Sequence, residues 1–406
     1  MSASINIRPL RPEDHVQYRG IRNLVLWGTD DVREQMKDPL AHAVCNDNVY
    51  IGAFDEGSIL QSAMAVEPYT IRMNGQDVKM GGIASVVTRP EARGMGIIRK
   101  IFDAAFRIML ENGQTFSYLF PFSHRYYHKF GYEVCSFNNH ATIPVNQFGA
   151  YPFPKNFKQH EPDDDIAPFM EIYRTFTTSR NLSFVRDEKA WQNMLNRDPY
   201  KNHEFTYLNR DENGNANAYV LYCPVNKEGA AGAPWHRVSI KELCWTTPSG
   251  LHDIFGFFAK LSPEYDSVEW KLPCDINVHA LFPDVASIGY TRNGGGMNRI
   301  LDVVSALSTL SAPCGSGNLN LQITDAFWPG NSGTYTVEWE GSKLAACKTN
   351  SSNVDMATGI ETLTQLVTGS LTTEECIYKK DTKIYSNHAQ LLNLFPKQKL
   401  HMTEAF

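Results

Sequence analysis

Two glycines separated by one residue stand between a predicted strand and a predicted helix in residues 86–98. The central residues are Arg93, Gly94, Met95 and Gly96, and apolar residues that open the helix follow them. Glycines let the backbone come close to a phosphate, and the free N–H groups and dipole of a helix N-terminus attract anions. The guanidinium of Arg93 could add a charged hydrogen bond. The spacing indicates an anion cradle at residues 93–98, although a plain turn could have the same composition.

The cradle does not fit two better-known phosphate loops. It lacks a Gly-x-x-x-x-Gly-Lys-Ser/Thr pattern, and it lacks the third glycine of a dinucleotide fingerprint. Residues 93–98 instead resemble the Arg/Gln-x-x-Gly-x-Gly/Ala pyrophosphate loop of the GNAT superfamily of acyl-CoA-dependent N-acetyltransferases, with Ile98 in place of the last Gly/Ala. Further along the chain, residues 126–132 (Tyr-Tyr-His-Lys-Phe-Gly-Tyr) resemble the Tyr-x-x-Phe-Gly-Tyr segment of the same superfamily. The two motifs stand in the order that the superfamily shows.

This resemblance implies a role for each matched residue. Tyr127 aligns with the general acid that protonates the leaving thiolate, and a phenol with a pKa of about 10 keeps its proton at neutral pH. Backbone groups around Val86 to Thr88 are expected to polarise the thioester carbonyl and to bind the pantetheine arm. The resemblance therefore implies that acetyl-CoA is bound by Val86, Val87, Thr88, Arg93, Gly94, Gly96 and Ile97.

The base is implied by the end of the chain. Acetyltransferases of the enhanced-intracellular-survival (Eis) type, which the three-region layout of this chain resembles, place the main-chain carboxylate of a terminal aromatic residue in their active site, and this sequence ends in Phe406. Such a carboxylate, with a pKa of about 3.3–3.7, can accept a proton through water from an amine that is already partly neutral. The family places acidic residues beside that terminus, whereas Ala405 stands there in this sequence. His124 and His128 are alternative bases, and Tyr126 is the acid if the register is shifted by one residue.

The elements that must position these residues are predicted to form a mixed sheet. Asn74-Gly75 lies between alternating segments and predicts a hairpin. A helix after Pro90 is predicted to bury one face, formed by Ile97, Ile101, Ala104, Ala105 and Ile108. Other strands are predicted at residues 48–54, 59–67, 115–120 and 141–145, and residues 123–130 are predicted to be helical.

The rest of the chain divides into further regions. Residues 146–165 carry three prolines and an acidic run and predict a linker. Helices are predicted at residues 166–178, 250–259, 299–310, 355–368 and 388–395. Strands are predicted at residues 204–208, 216–222, 238–244, 267–272, 319–325, 333–339 and 344–349.

Residues 294–303, 323–335 and 354–358 resemble the entry, a strand–turn–strand and the start of a later helix in the third domain of acetyltransferases of the enhanced-intracellular-survival (Eis) type. The three-region layout of the chain resembles the same family. The resemblance implies an α+β fold with two tandem GNAT folds, each a mixed central sheet with flanking helices, and a C-terminal sterol-carrier-like domain. The expected units are a coenzyme-binding GNAT domain at 1–150, a degenerate GNAT-like domain at 151–288 and the sterol-carrier-like domain at 289–406.

Composition narrows the class of protein. The chain has 406 residues, of which 42% are hydrophobic and 20% charged, which is typical of a globular protein of more than one domain. The net charge of −6 gives no indication of the basic surface that a nucleic-acid partner would require, so none is expected. No apolar run has the roughly 18 residues of a membrane span. The eight cysteines form no Cys-x-x-Cys pair, so no metal site is expected. The N-terminus lacks a secretory core, so we expect a cytoplasmic protein with reduced thiols.

The combined hypothesis is an acetyl-CoA-dependent N-acetyltransferase that acts on primary amines of a cationic acceptor, either an aminoglycoside-like small molecule or a lysine side chain. Because no cysteine matches a covalent-intermediate position, direct transfer in a ternary complex is expected. The family assembles as a homohexamer, so a homo-oligomer is expected. The alternatives are a lipid-binding carrier and a non-catalytic acyl-CoA sensor; the presence of Tyr127 and Phe406 favours the enzyme.

Overall fold

The computed structural model describes residues 5–26, 28–42, 46–226, 236–262, 264–402 and 404. Elements in the first part of the chain are β1 (Asn6–Pro9), α1 (His15–Leu26), α2 (Val32–Gln35), β2 (Val49–Phe54), β3 (Leu60–Met73), β4 (Gln76–Thr88), α3 (Ile97–Glu111), β5 (Phe116–Leu119), α4 (His124–His128), β6 (Glu133–Val134) and β7 (Phe137–Pro144).

The middle of the chain contains β8 (Phe157–Gln159), α5 (Ala167–Thr177), β9 (Arg180–Asn181), α6 (Glu188–Leu195), α7 (Pro199–Asn202), β10 (Phe205–Arg210), β11 (Ala216–Asn226), β12 (His236–Trp245), α8 (Pro248–Lys260), β13 (Tyr265–Leu272), β14 (Gly289–Gly294) and β15 (Met297–Ile300). The last part contains α9 (Val303–Leu307), β16 (Ser316–Thr324), β17 (Gly333–Glu340), β18 (Lys343–Thr349), β19 (Met356–Gly359), α10 (Ile360–Thr368), α11 (Thr373–Cys376), β20 (Lys383–Ile384), α12 (His388–Leu394) and β21 (Lys399–Leu400).

The first sheet has the strand order β1-β2-β3-β4-β5-β15-β6 and is mixed, because β4 and β5 are parallel. The predicted hairpin is confirmed: β3 and β4 meet at Asn74-Gly75, whose φ angles of 50° and 80° suit a tight turn. Helix α3 packs on one face of this sheet. Its most buried residues include Phe102, Phe106 and Met109, whereas Ala104 and Ile108 are only partly buried, so the predicted helix face was partly wrong.

The second sheet has the order β14-β7-β13-β12-β11-β10-β8, with β12 and β13 parallel. Helix α8 covers one face, and its side chains Ile254, Phe255 and Phe258 are buried in the second domain's apolar core. The edge strand β8 lies within the region predicted to be a linker, so that prediction was wrong at residues 157–159. The prolines at 152 and 154 favoured a linker in the sequence prediction, but the three residues form an edge strand that pairs with β10.

The third sheet has the order β18-β17-β16-β19-β20, and α10 and α12 contribute buried residues to the apolar cluster on its inner face. Together the three sheets confirm the predicted α+β class. Two predicted helices begin too early: residues 297–300 are strand β15, and residues 356–359 are strand β19. Among the described residues, no helix combines the length and hydropathy that crossing a membrane would require.

The sheets do not follow the expected domain limits. Strand β7 precedes residue 150 but pairs with β13 in the second sheet. Strands β14 and β15 follow residue 289, yet β14 pairs with β7 and β15 inserts between β5 and β6 of the first sheet. The chain therefore returns to both earlier sheets before it enters the third, which ties the three parts together.

Candidate active site

The predicted anion cradle lies between β4 and α3. A 3-10 turn over Pro90–Ala92 leads into it, and Gly94 and Gly96 have φ angles of 80° and 72°. A Cβ atom at either glycine would meet nothing within 4 Å, so the outer side of the loop is open. Gly96 is the N-cap of α3, and within the described chain the N–H groups of residues 94–98 donate to no protein acceptor. These free donors at a helix N-terminus suit the diphosphate of a coenzyme.

The side chains beside the cradle leave room for an anion. Arg93 is exposed, and it forms no ion pair with any described residue. The carboxylate of Glu91 instead faces Arg89, with 3.8 Å between a carboxylate oxygen and Nη1. Behind the loop, Ile97 is buried in the core of the first domain, which fixes the start of α3.

Strands β4 and β5 separate near the cradle. Their parallel pairing runs from Met80 to Ile83 of β4, but β4 continues as far as Thr88. The register of β3 against β4 shifts in the same region, and Ser85 has a positive φ of 49°. The two strands therefore open a cleft beyond Ile83, and a bulge re-aims the backbone beside it.

The backbone of β4 beyond the bulge presents free groups to this cleft. The carbonyl of Val87 accepts a hydrogen bond from Ser62, and the N–H of Arg89 donates toward β3 as well. Because successive residues of a strand direct their polar groups to opposite edges, those of Val86 and Thr88 face the cleft. This is where the resemblance places the pantetheine arm.

Tyr127 lies in α4, whose N-terminus is capped by the hydroxyl of Ser123. Its side chain is 4% exposed, and its ring packs edge-on against Phe102, Phe122 and Tyr126, with centroid distances of 6.2, 5.4 and 5.2 Å. Burial, and secondly the neighbouring Tyr126, raises the pKa of Tyr127 above its ordinary value of 10. The phenol therefore keeps its proton through the physiological range.

The alternative acid, Tyr126, and the alternative bases, His124 and His128, have surroundings that differ from those of Tyr127. Tyr126 is only half-buried, and burial raises its pKa as well. The Nε2 atom of His124 lies 3.1 Å from the carbonyl oxygen of Gly295. The Nε2 atom of His128 lies 3.6 Å from the carboxylate of Glu133, and the hydrogen bond to that carboxylate raises the pKa of His128. Both imidazoles thus face partners away from the cleft between β4 and β5.

The structure brings several predicted groups together. Tyr127 and Ile97 belong to one apolar cluster, against which Val86 packs, and the cradle precedes the same helix. Phe406 and Ala405 lie outside the described residues. Of the described residues before them, Met402 lines a small cavity with Tyr118 and Phe120, and Glu404 pairs with Arg186.

Sequence reasoning missed two sets of buried charges. Arg186 contacts the carboxylates of Glu242 and Glu404, at 2.5 and 2.6 Å. Arg299, which the sequence placed in a helix, is fully buried beside Asp325. Each partner is distant in the chain, and an arginine amid apolar residues at 297–301 was the only local signal.

The second domain repeats the strand–helix geometry but closes it. Parallel pairing of β12 with β13 ends at Ile240, and β12 continues to Trp245 before α8 begins. There Thr247 caps α8, accepting a hydrogen bond of 3.1 Å from the N–H of Gly250, and Pro248 has no N–H to offer. A Cβ atom at Gly250 would lie 2.9 Å from the carbonyl oxygen of Asn217, so the helix start is also packed.

Comparisons with protein families match three successive stretches. Residues 6–135 match an acetyltransferase (GNAT) domain, residues 182–300 match a second acetyltransferase (GNAT) domain, and residues 303–402 match a sterol carrier protein domain. Residues 289–300, assigned by the sequence prediction to the third domain, thus fall within the second match. No curated protein sequence matches the chain significantly.

Solved structures share the whole fold. A GCN5-related N-acetyltransferase from Anabaena variabilis has a TM-score of 0.82 at 18% identity, with 99% of this chain and 100% of that chain covered. A conserved protein from Enterococcus faecalis has a TM-score of 0.82 at 20% identity, with 98% of each chain covered. Eis1 from Mycobacterium abscessus has a TM-score of 0.77 at 14% identity, with 99% of this chain and 100% of that chain covered. The predicted tandem GNAT folds and sterol-carrier-like domain are confirmed.

Proposed function

We propose that the chain, in which residues 6–135 and 182–300 match acetyltransferase (GNAT) domains, is an Eis-like acetyltransferase that transfers acetyl from acetyl-CoA to a primary amine of a cationic acceptor. The acceptor is an aminoglycoside-like small molecule or a lysine side chain, and transfer is direct in a ternary complex. The observation that carries the proposal is the open cradle at residues 93–98, which adjoins both the cleft between β4 and β5 and the cluster that holds Tyr127.

The first domain would bind the coenzyme along β4 and α3. The N–H groups of residues 94–98 and the guanidinium of Arg93 would hold the diphosphate. Backbone groups of Val86 and Thr88 would hydrogen-bond the pantetheine arm within the cleft. Polarisation of the thioester carbonyl by these N–H groups would then lower the barrier to attack.

Tyr127 would donate its phenolic proton to the departing thiolate of CoA. Its raised pKa makes the phenol a weaker acid, but exclusion of water raises the proton affinity of the thiolate too. The proposed base, the main-chain carboxylate of Phe406, rests on the resemblance alone. The cationic character of the acceptor has the same support.

The test is a thiol-release assay with acetyl-CoA and a panel that includes an aminoglycoside, a polyamine and a lysine peptide. We expect turnover with at least one amine, and undiminished turnover after adding one residue beyond Phe406 would contradict the proposed base. Binding of CoA without acetylation of any amine would favour the acyl-CoA sensor. Transfer of a fluorescent lipid between vesicles, without thiol release, would favour the lipid carrier.

Assembly and location are also proposed from the family. Six copies of the 45.8 kDa chain would give a homohexamer of about 275 kDa. Light scattering after size-exclusion chromatography would measure this mass directly, and a monomeric mass with full activity would contradict the hexamer. The cytoplasmic location stays a prediction.

A further inference from the structure

A fully buried arginine connects the segment that carries Tyr127 with the third domain. Arg299 lies on β15, the strand that inserts between β5 and β6 of the first sheet, and its side chain has no exposed surface. Nη1 donates to the carbonyl oxygen of Phe130, and Nη2 contacts Oδ2 of Asp325 at 2.5 Å. One rigid guanidinium therefore touches both the backbone that follows α4 and a carboxylate of the third domain.

The carboxylate of Asp325 organises the loop that follows β16. Its Oδ1 accepts hydrogen bonds from the N–H groups of Phe327 and Trp328, at 3.1 and 2.9 Å. Its Oδ2 accepts from Nδ2 of Asn331 at 3.2 Å in addition to Arg299. The loop over residues 325–331 is thus held in one conformation by the same carboxylate that holds the arginine.

Aromatic rings carry the contact from this loop to Tyr127. The ring of Phe327 packs edge-on against Phe106 of α3 and against Phe130, with centroids 5.4 and 5.2 Å apart. Phe130 stacks on Phe102 at 4.3 Å, and Phe102 contacts the ring of Tyr127 at 6.2 Å. A displacement of the loop would therefore be transmitted to the phenol through packed rings.

The glycine of the Phe-Gly-Tyr motif is required by the same arginine. Gly131 has a φ of 75°, and a Cβ atom there would overlap Nη1 of Arg299. The N–H of Phe130 donates to the carbonyl of Tyr127, so the turn next to the arginine is continuous with the residue that carries the phenol. Any side chain at 131 would push the guanidinium away from the turn.

We propose that Arg299 is a positioning residue for acetyl transfer: it fixes the Tyr127 segment against Asp325, so that the third domain sets the place of the general acid. The inference rests on the proposed function of Tyr127. It assigns the third domain a part in catalysis that needs neither a lipid ligand nor the end of the chain. Among the described residues, the side chain of Arg299 contacts Phe130, Asp325, Phe106 and Phe327 but no residue of the cradle, so the affinity for the coenzyme is expected to be independent of Arg299.

The test is a double-mutant cycle of Arg299→Lys with Tyr127→Phe, assayed as full-length protein well below its melting temperature. Lysine keeps the buried charge but cannot reach both partners with a fork of donors. We expect Arg299→Lys alone to lower kcat about 10-fold, with KM for acetyl-CoA changed less than about 2-fold. In the Tyr127→Phe background, the same substitution should lower kcat less than about 2-fold, because its effect passes through the phenol.

Arg8→Lys is the matched control, because Arg8 bonds both oxygens of Asp14 at the far edge of the same sheet. It should leave kcat unchanged. An equal loss of kcat from Arg299→Lys in the parent enzyme and in Tyr127→Phe would overturn this inference but not the proposed function. No loss of kcat in either background would do the same. Normal kcat in Tyr127→Phe would overturn the acid assignment, and the inference with it.

If Arg299→Lys does not fold, the double-mutant cycle is repeated with Phe327→Leu in its place. It leaves the pair of Arg299 and Asp325 in place and removes the ring between Phe106 and Phe130. We expect kcat to fall about 3-fold, and this loss to vanish in the Tyr127→Phe background. The readout is kcat at saturating acetyl-CoA, because the ring of Phe327 also lies 4.9 Å from the guanidinium of Arg99 in the first turn of α3. Unchanged kcat for Phe327→Leu would contradict the transmission through the loop.

Discussion

The first and second domains share a strand–cleft–helix arrangement, but only the first leaves its helix start open. In the first domain, Gly96 caps α3 without a side chain and the loop before it has free space on its outer side. In the second, the hydroxyl of Thr247 bonds the N–H of Gly250, and the backbone of β11 packs against the same position. The two domains thus share a scaffold and differ in the residues at the helix cap, and we propose that this difference limits coenzyme binding to the first domain.

The strand beyond each cleft differs as well. β5 is followed by α4, which places Tyr127 in the aromatic cluster beneath the cradle. β13 is followed by an irregular segment in which Asp275 pairs with Arg180 at 2.8 Å. Buried Glu242, on the extension of β12, is bonded to Arg186 and Tyr219. The second domain thus uses the equivalent region for internal ion pairs, whereas the first has an open cleft there, in which we propose that the coenzyme binds.

The largest expected effect separates the two adjacent tyrosines. Tyr127→Phe removes the proposed acid, so kcat for thiol release with an amine acceptor should fall at least about 10²-fold. The ring and its packing are kept, so the dissociation constant of CoA should hardly change.

Tyr126→Phe is the matched control, because that ring packs beside Tyr127 but is only half-buried. It should keep kcat within about 3-fold of the parent enzyme. A large loss in Tyr126→Phe with normal turnover in Tyr127→Phe would move the acid by one residue.

The second effect concerns the cradle. Arg93→Ala removes a charged donor beside the free N–H groups, so the dissociation constant of CoA should rise about 10-fold or more. The ratio of the two dissociation constants, variant to parent, should be smaller at high salt, because salt screens the attraction between Arg93 and the diphosphate in the parent enzyme. Arg33→Ala, at an exposed arginine of α2, serves as the control in the same titration. Equal affinities for the Arg93 and Arg33 variants would place the diphosphate elsewhere.

A smaller effect is expected in the second domain. Thr247→Ala removes an N-cap, so the free energy of unfolding should fall by about 1 kcal/mol, measured by urea denaturation. Neither the affinity for CoA nor the number of bound CoA molecules should change. A second bound CoA in this variant would show that the cap alone had closed the second domain.

The smallest effect is expected from alkaline pH. Burial raises the pKa of Tyr127 above 10, so the proposed acid stays protonated and kcat should not decline between pH 7 and about 9.5. The profile is measured with saturating acetyl-CoA and amine. An alkaline loss with an apparent pKa near 8.5 that disappears in Tyr127→Phe would show that the phenol ionises earlier than its burial implies.

Local signals predicted much of the first domain. The Asn74-Gly75 turn, the strands on either side and the start of α3 depend on neighbours in the chain, and each lies where its pattern indicated. The face of α3 was harder to predict, because Phe327 of the third domain covers Phe106 on a flank that an isolated helix would expose. Periodicity records which residues are apolar, and tertiary contacts decide which of them are buried.

Strand pairing between residues far apart in the chain could not be predicted from local sequence patterns. Residues 297–300 lie next to a helical pattern, yet they pair with β5, whose residues are far away in the chain. Arg299 was consequently placed in a helix, and its contacts with Phe130 and Asp325 could not be foreseen. The cradle and Tyr127 could be proposed because each has a short motif, whereas a buried ion pair between domains has none.

The central claim is that each chain binds one CoA, at the cradle of the first domain. Isothermal titration of CoA into the parent protein, Gly96→Val and Gly113→Val tests it most directly. Both glycines have a φ of 72° and open space around a Cβ, but Gly113 follows the far end of α3. We predict one site per chain, lost or strongly weakened in Gly96→Val and retained in Gly113→Val. Two sites per chain, or one site with equal affinity in both variants, would contradict the account.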